Sequence, residues 1–211
     1  MTSAPALHLG GGAAVRPVAR LSAANLRANA LLAGSAAGGD VLAADAWGHG
    51  AEWVASTLSA LGIAPDGLRP EVLFGLPGSG TRPVMSLRGR VLGCKPLLTG
   101  EGVSYGYTHR APADTVVALV TGGYAQGVVR SLGNAVSVGI AGRRHRIVGR
   151  VAMDVCVVDV GSPIPWGSEV VYFGDAAEGD PALEEWMDAT GLGAGEIVAT
   201  VGARARREVV V

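Results

Sequence analysis

TVVALVTGGYAQGVVRSLGNAVSVGIAGRRHRIVGRVAMDVCVVDVG, residues 115–161, decides the fold. Val, Ile and Leu recur in short apolar runs, and each run is closed by glycine, asparagine or a charged turn. Strands at 115–120, 135–140, 147–151 and 155–160 follow from β-branched enrichment and turn punctuation. RRHR at 143–146, beside Gly142, reads as a solvated hairpin. Outward from this stretch the pattern continues, with strands at 84–92 and 169–173. Many short strands at even spacing predict a mainly β domain, a barrel or a sandwich. A helix is expected at about 182–189. The segments 197–201 and 207–211 read as late strands or strand–helix pieces.

The front of the chain has a different rhythm. Ser22 is a helix N-cap for a segment reaching about 32. A buried strand is expected at 41–44. A second helix is expected over 50–61, where Trp53, Val54, Leu58 and Leu61 share one face. Residues 1–15 are rich in Gly and Ala and read as loose. Residues 16–65 read as a short α/β unit, 66–81 as a Pro/Gly-rich linker, and 82–211 as the β-domain.

Composition narrows the classes. Seventeen Lys and Arg balance 18 Asp and Glu, for a net charge of −1, and no basic run suits nucleic acid. No run of 18 apolar residues predicts a membrane span, and the N-terminus lacks a signal-peptide pattern. The two cysteines, Cys94 and Cys156, make no disulfide framework. The expected location is the cytoplasm. His8, His49, His109 and His145 show no metal-ligand spacing. GLPGSG at 75–80 lacks the lysine and helix of a phosphate-binding loop. Ser104 and Ser131 sit in no nucleophile elbow.

Three blocks carry more specific information: VSYGYTH at 103–109, GGYAQG at 122–127 and GRVAMD at 149–154. In order and spacing they resemble the C-terminal β-domain of alanine racemases, whose blocks read like VSYGxTY, GYADG and GRxCMDQ. The resemblance runs from about Arg82 to Arg207. It implies a β-barrel-like C-terminal domain preceded by a remnant of a TIM-type barrel. Such a barrel takes roughly 250 residues, and the internal segment from Leu21 to Phe74 leaves room for about two strand–helix units. The family's cofactor block reads like VVKADAYGHG; here VLAADAWGHG spans 41–50. The lysine that holds pyridoxal phosphate as a Schiff base therefore aligns with Ala43, and the following tyrosine with Trp47. Near the end, GEIVATVGARARR resembles the family's closing segment, with Gly195 in place of tyrosine and Arg206 in place of proline.

The resemblance assigns roles one position at a time. Tyr105 corresponds to the catalytic tyrosine that reaches into the partner subunit's barrel. Tyr124 corresponds to the tyrosine at the substrate entrance. Met153 corresponds to the residue whose backbone N–H helps hold the substrate carboxylate. Arg150 and Asp154 correspond to the polar layer around that entrance, which Gln126, replacing an aspartate, is expected to weaken.

Racemization needs an electron sink and a base on each face of Cα. A methyl group at 43 supplies no amine, and the single lysine of the chain is Lys95. A phenol ionises near about pH 10 unless a positive charge lies beside it, and the resemblance draws that charge from barrel residues missing here. The chain is therefore predicted inactive alone, with no cofactor expected on the isolated chain. Three readings follow. The chain is a non-catalytic binding or assembly protein. Alternatively, it lends Tyr105 in trans to a complete racemase. Or it is itself a pyridoxal-phosphate isomerase interconverting L- and D-alanine. The partners implied are a second copy or a full-length alanine racemase, with a small amino acid as ligand if active, and neither nucleic acid nor membrane.

Overall fold

The computed structural model describes residues 16–211, so the expectation for 1–15 lies outside the described residues. β1 (Val18–Ser22) leads into α1 (Ala23–Ala30), β2 (Gly34–Gly39), a helical turn α2 (Ala43–Trp47), α3 (Ala51–Ala60) and α4 (Pro70–Phe74). The β-rich part follows: β3 (Met85–Leu97), β4 (Gly102–Val103), β5 (His109–Arg110), β6 (Thr115–Thr121), β7 (Ser137–Ile140), β8 (Arg143–Arg146), β9 (Val155–Asp159) and β10 (Glu169–Phe173). The chain closes with α5 (Glu184–Thr190), α6 (Ala194–Arg204) and β11 (Arg206–Val210).

The domain is mainly β, and its sheet is open. Strands run in the order β11-β1-β3-β10-β7-β8, with β6 pairing β3 and β9. β3 makes this possible by being long. Its first half pairs antiparallel with β1 and β10, and its second half pairs with β6. The pairing shifts register between Val91 and Gly93, where β3 passes from one set of neighbours to the other. The barrel-like sheet does not close: the flank carrying β8 meets β9 near only one isolated bridge among the described residues, Ile147 to Val158. The expected strand at 147–151 is accordingly absent. Ile147 and Val148 bond to neighbours, and the chain then turns away at Gly149, φ 73°. The hairpin at 143–146 does form, on a turn with positive φ at both Ala141 and Gly142.

Several boundaries depart from the expectations for the front segment. Ser22 does cap α1, its side chain accepting from the Asn25 N–H at 3.1 Å. β1, however, belongs to the main sheet, between β3 and a parallel β11. The strand expected at 41–44 is displaced: β2 lies earlier, in a Gly/Ala sequence without β-branched residues, and Val41 is buried just before a turn. The expected linker contains α4, which starts at Pro70, where the missing N–H costs nothing. Val72, Leu73 and Phe74 bury its inner face. The segment 197–201 is wholly helical, inside α6.

The largest buried side chains gather behind β10. Trp186 of α5 meets Tyr172 and Phe173 edge-on, at ring separations of 6.4 and 5.2 Å. The Tyr172 hydroxyl donates to the Thr121 carbonyl at 2.7 Å. It also crowds Gly122, where a Cβ would lie 2.6 Å from the hydroxyl and φ is +118°. Glycine is required there on both counts, and this fixes the start of the GGYAQG block.

Candidate active site

GGYAQG and GRVAMD are zipped together by backbone. Gly122 N–H donates to the Asp154 carbonyl at 2.9 Å, Tyr124 N–H to Ala152 at 3.0 Å, and Ala125 N–H to Met153 at 2.9 Å. The approach is close: a Cβ on Gly123 would fall 2.2 Å from the Met153 oxygen. VSYG is tied to the same loop. Ser104 Oγ donates to the Arg150 carbonyl at 2.7 Å, and the Arg150 guanidinium lies against Gly106. Asn134 adds a brace, accepting from Gly149 N–H at 2.7 Å and donating to Thr108 Oγ1 at 3.1 Å. Three blocks separated in sequence therefore converge on the loop 149–154.

Within this convergence Tyr105 stands out in solvent. It is 73% exposed, on a 3-10 turn (Tyr105–Tyr107), with Tyr107 at 62% and Met153 at 55%. The turn is held in costly backbone: Ser104 has φ 59°, ψ −173°, a region nearly confined to glycine. Tyr124 is half-buried, with the Arg130 guanidinium 4.5 Å from its ring centre. Arg204 of α6 donates to the Tyr124 carbonyl at 3.3 Å.

Gln126 behaves differently from the expectation. It is buried, its oxygen accepts from Gly123 N–H at 3.0 Å, and its nitrogen donates to Asp154 Oδ1 at 2.7 Å. An amide can do both; a carboxylate could do only the first and would oppose Asp154. The substitution reinforces the layer rather than weakening it. Gln126→Glu is therefore expected to lower unfolding stability at pH 7 by about 1–2 kcal/mol. The deficit relative to the unaltered protein should be smaller at pH 5 than at pH 7, because a carboxyl introduced at 126 facing a like charge is favoured in its neutral form. An equal deficit at both pH values would contradict this.

At the segment 41–50 the geometry is unusual. Ala44, Asp45, Ala46 and Trp47 have φ of 50, 57, 53 and 54°, a left-handed turn without a glycine. Each such residue costs roughly 1–2 kcal/mol against the right-handed form, so the turn needs strong outside support. Asp45 supplies part, accepting from Ala51 N–H at 2.8 Å and from Arg207 Nη1 at 2.5 Å. That N–H first, and the guanidinium second, hold its carboxyl below the usual range. His49 is buried and stacked on Phe74, ring centres 4.2 Å apart. A cleft of about 200 Å³ shares Phe74 and Val198 with this segment's surroundings and is lined further by Leu76, Met85, Phe173 and Leu183.

Comparison with known proteins bears on this arrangement directly. Residues 84–209 match the family described as "Alanine racemase, C-terminal domain". The alanine racemase of Thermobifida fusca is 42% identical over 147 residues, covering 69% of this chain and 39% of that protein. That of Streptomyces coelicolor is 40% identical over 148 residues, 69% of this chain and 38% of the other. Among solved structures, alanine racemase from Streptomyces coelicolor superposes with a TM-score of 0.63 at 30% identity, over 79% of this chain and 50% of that one. Alanine racemase from Bartonella henselae with covalently bound pyridoxal phosphate superposes at 0.59 and 25% identity, over 65% and 40% of the two chains. The chain belongs to the alanine racemase C-terminal domain family. It spans about two fifths of the length of the racemases it matches.

The residues at 41–50 do not fit a covalently held pyridoxal phosphate. Ala43 carries a methyl group, and Trp47, with its ring against α6, leaves only indole chemistry beside it. Lys95 is exposed on the second half of β3, paired with Val117 of β6.

Proposed function

We propose that this chain is a racemase-type β-domain protein that does not racemize alanine alone and acts by binding another protein. The observation that carries the reading is the pairing of an exposed Tyr105 turn with a segment, 41–50, that has no amine. A tyrosine that is 73% exposed, on a turn whose flanking Ser104 and Tyr107 are held at positive φ, is built to be covered by something else. The partner favoured by chemistry is a barrel that supplies the amine and the positive charge missing here: a full-length alanine racemase, or failing that a second copy of this chain. The cytoplasm is the compartment this requires.

A second reading rests on the same exposure. Tyr105 offers its phenol to the partner's site, so the complex, not the chain, would interconvert L- and D-alanine. Tyr124, Met153, Arg150 and Asp154 would then line the entrance on this chain's side.

One experiment separates the readings. Purified chain with pyridoxal phosphate and L-alanine is expected to form no D-alanine above the protein-free rate. The chain is then mixed with a full-length racemase whose own β-domain tyrosine has been changed to phenylalanine. Binding in sedimentation without recovered activity supports the assembly role. Recovered activity that disappears with Tyr105→Phe supports lending in trans. D-alanine formation by the chain alone, or neither binding nor self-association, would overturn the proposal.

A further inference from the structure

Trp47 on the left-handed turn and Gly195 at the start of α6 are far apart in sequence and meet in space. A Cβ built on Gly195 would lie 2.5 Å from Cζ3 and 2.8 Å from Cε3 of the Trp47 ring. The indole therefore occupies the space that any side chain at 195 would need. A single ring, carried by the turn, fills the space between the turn and the helix.

The neighbouring contacts share this logic. Gly202 lies two turns along α6 from Gly195, on the same face. A Cβ there would fall 1.9 Å from the Gly48 carbonyl oxygen. A Cβ on Gly48, which has φ +80°, would lie 2.7 Å from the Val198 oxygen. Beyond the helix end, Arg207 reaches back to Asp45 at 2.5 Å and to the Gly48 carbonyl at 3.3 Å. The left-handed turn is thus gripped along the length of α6 by two glycine seats, one ring and one ion pair.

We propose that the segment 43–50 is a clasp that fastens the α/β front of the chain to α6, with Trp47 seated on Gly195 as its catch. The clasp occupies the segment whose residues fail to fit the cofactor. It stands whether or not Tyr105 serves a partner. Its signature is inverted helix behaviour. Glycine inside a helix is ordinarily less stable than alanine, so Gly195→Ala at a free position would raise stability.

The test is a cycle of Gly195→Ala, Trp47→Ala and the double variant, read by thermal unfolding. Gly195→Ala alone is expected to lower Tm by on the order of 5 °C. In the Trp47→Ala background the same substitution should be neutral or raise Tm. Amide exchange at Ala51, whose N–H is held by Asp45, should quicken in Gly195→Ala while the β6 amides do not change. Should Trp47→Ala not fold, Trp47→Leu serves as the second background. A gain in Tm from Gly195→Ala in the unaltered protein, or the same loss in both backgrounds, would overturn the clasp.

Discussion

Ala43→Lys protein, supplied with pyridoxal phosphate and L-alanine, is expected to form no D-alanine above the protein-free rate. The substitution restores the amine and nothing else. Ala43 opens a left-handed turn, and the residues after it are committed elsewhere: Asp45 to Ala51 and Arg207, Trp47 to the Gly195 seat, Gly48 to Gly202. Position 43 itself is exposed, so an amine introduced there would sit in water as that of Lys95 does. Enzymes supply accelerations of about 10⁶-fold or more, and barrel enzymes draw their groups from several strand ends. Here no strand lies between α3 and α4 or between α4 and β3 among the described residues. Peptide mapping after borohydride reduction gives a second readout. The introduced amine is expected to carry no more label than Lys95. Turnover in the single variant, or saturable labelling confined to the introduced amine, would overturn this expectation.

The β-domain was legible because its information is local and periodic. Short valine-rich runs place β6, β7, β9 and β10 close to their observed bounds, and the three tyrosine- and methionine-bearing blocks lie inside the family match. The errors have specific causes. β2 is built from Gly, Ser and Ala, which carry no strand signal. α6 contains the run IVATV, equally readable as a strand until the Glu196 carboxylate is seen accepting from Gly193 N–H at the helix start. α4 hides in a Pro/Gly-rich stretch, although Pro70 is a fair helix-start signal. Open-sheet geometry was not legible because closure depends on pairing between strands distant in sequence.

Two features of the candidate site were invisible for a deeper reason. Gln126 reads as the loss of an acid; its gain, a hydrogen bond to Asp154, exists only once the two blocks are adjacent. The left-handed turn contains no Gly or Asn from Ala44 to Trp47, so no local rule predicts it. Its conformation is imposed from α6 by Gly195 and Gly202, far along the chain.

Acidification is expected to destabilise the protein between pH 6.5 and about 4, by about 3 kcal/mol in total, through His49. Its Nδ1 faces two carbonyls, Ala46 at 3.0 Å and Trp47 at 3.1 Å, and so carries the proton. Its Nε2 is then a buried lone pair with no hydrogen-bond partner among the described residues. Adding a second proton would place an unsatisfied charge between Phe74 and the turn. Burial therefore pushes the imidazole from its ordinary 6.5 down to about 4, against the pull of the two carbonyls, with Arg207 adding to the depression. The sign follows. Between these values the unfolded chain binds a proton that the folded chain refuses, so stability rises with pH across the window and is fully present above it. Asp45 works in the same sense at lower pH, but it is largely solvent-facing and contributes little. Denaturant unfolding from pH 7.5 to 4 measures the slope, which should approach about 1.4 kcal/mol per pH unit for one proton. His49→Leu should be flatter than the unaltered protein by that one proton, whatever its absolute stability. Equal slopes for the two proteins would mean that His49 is not held neutral in the folded chain.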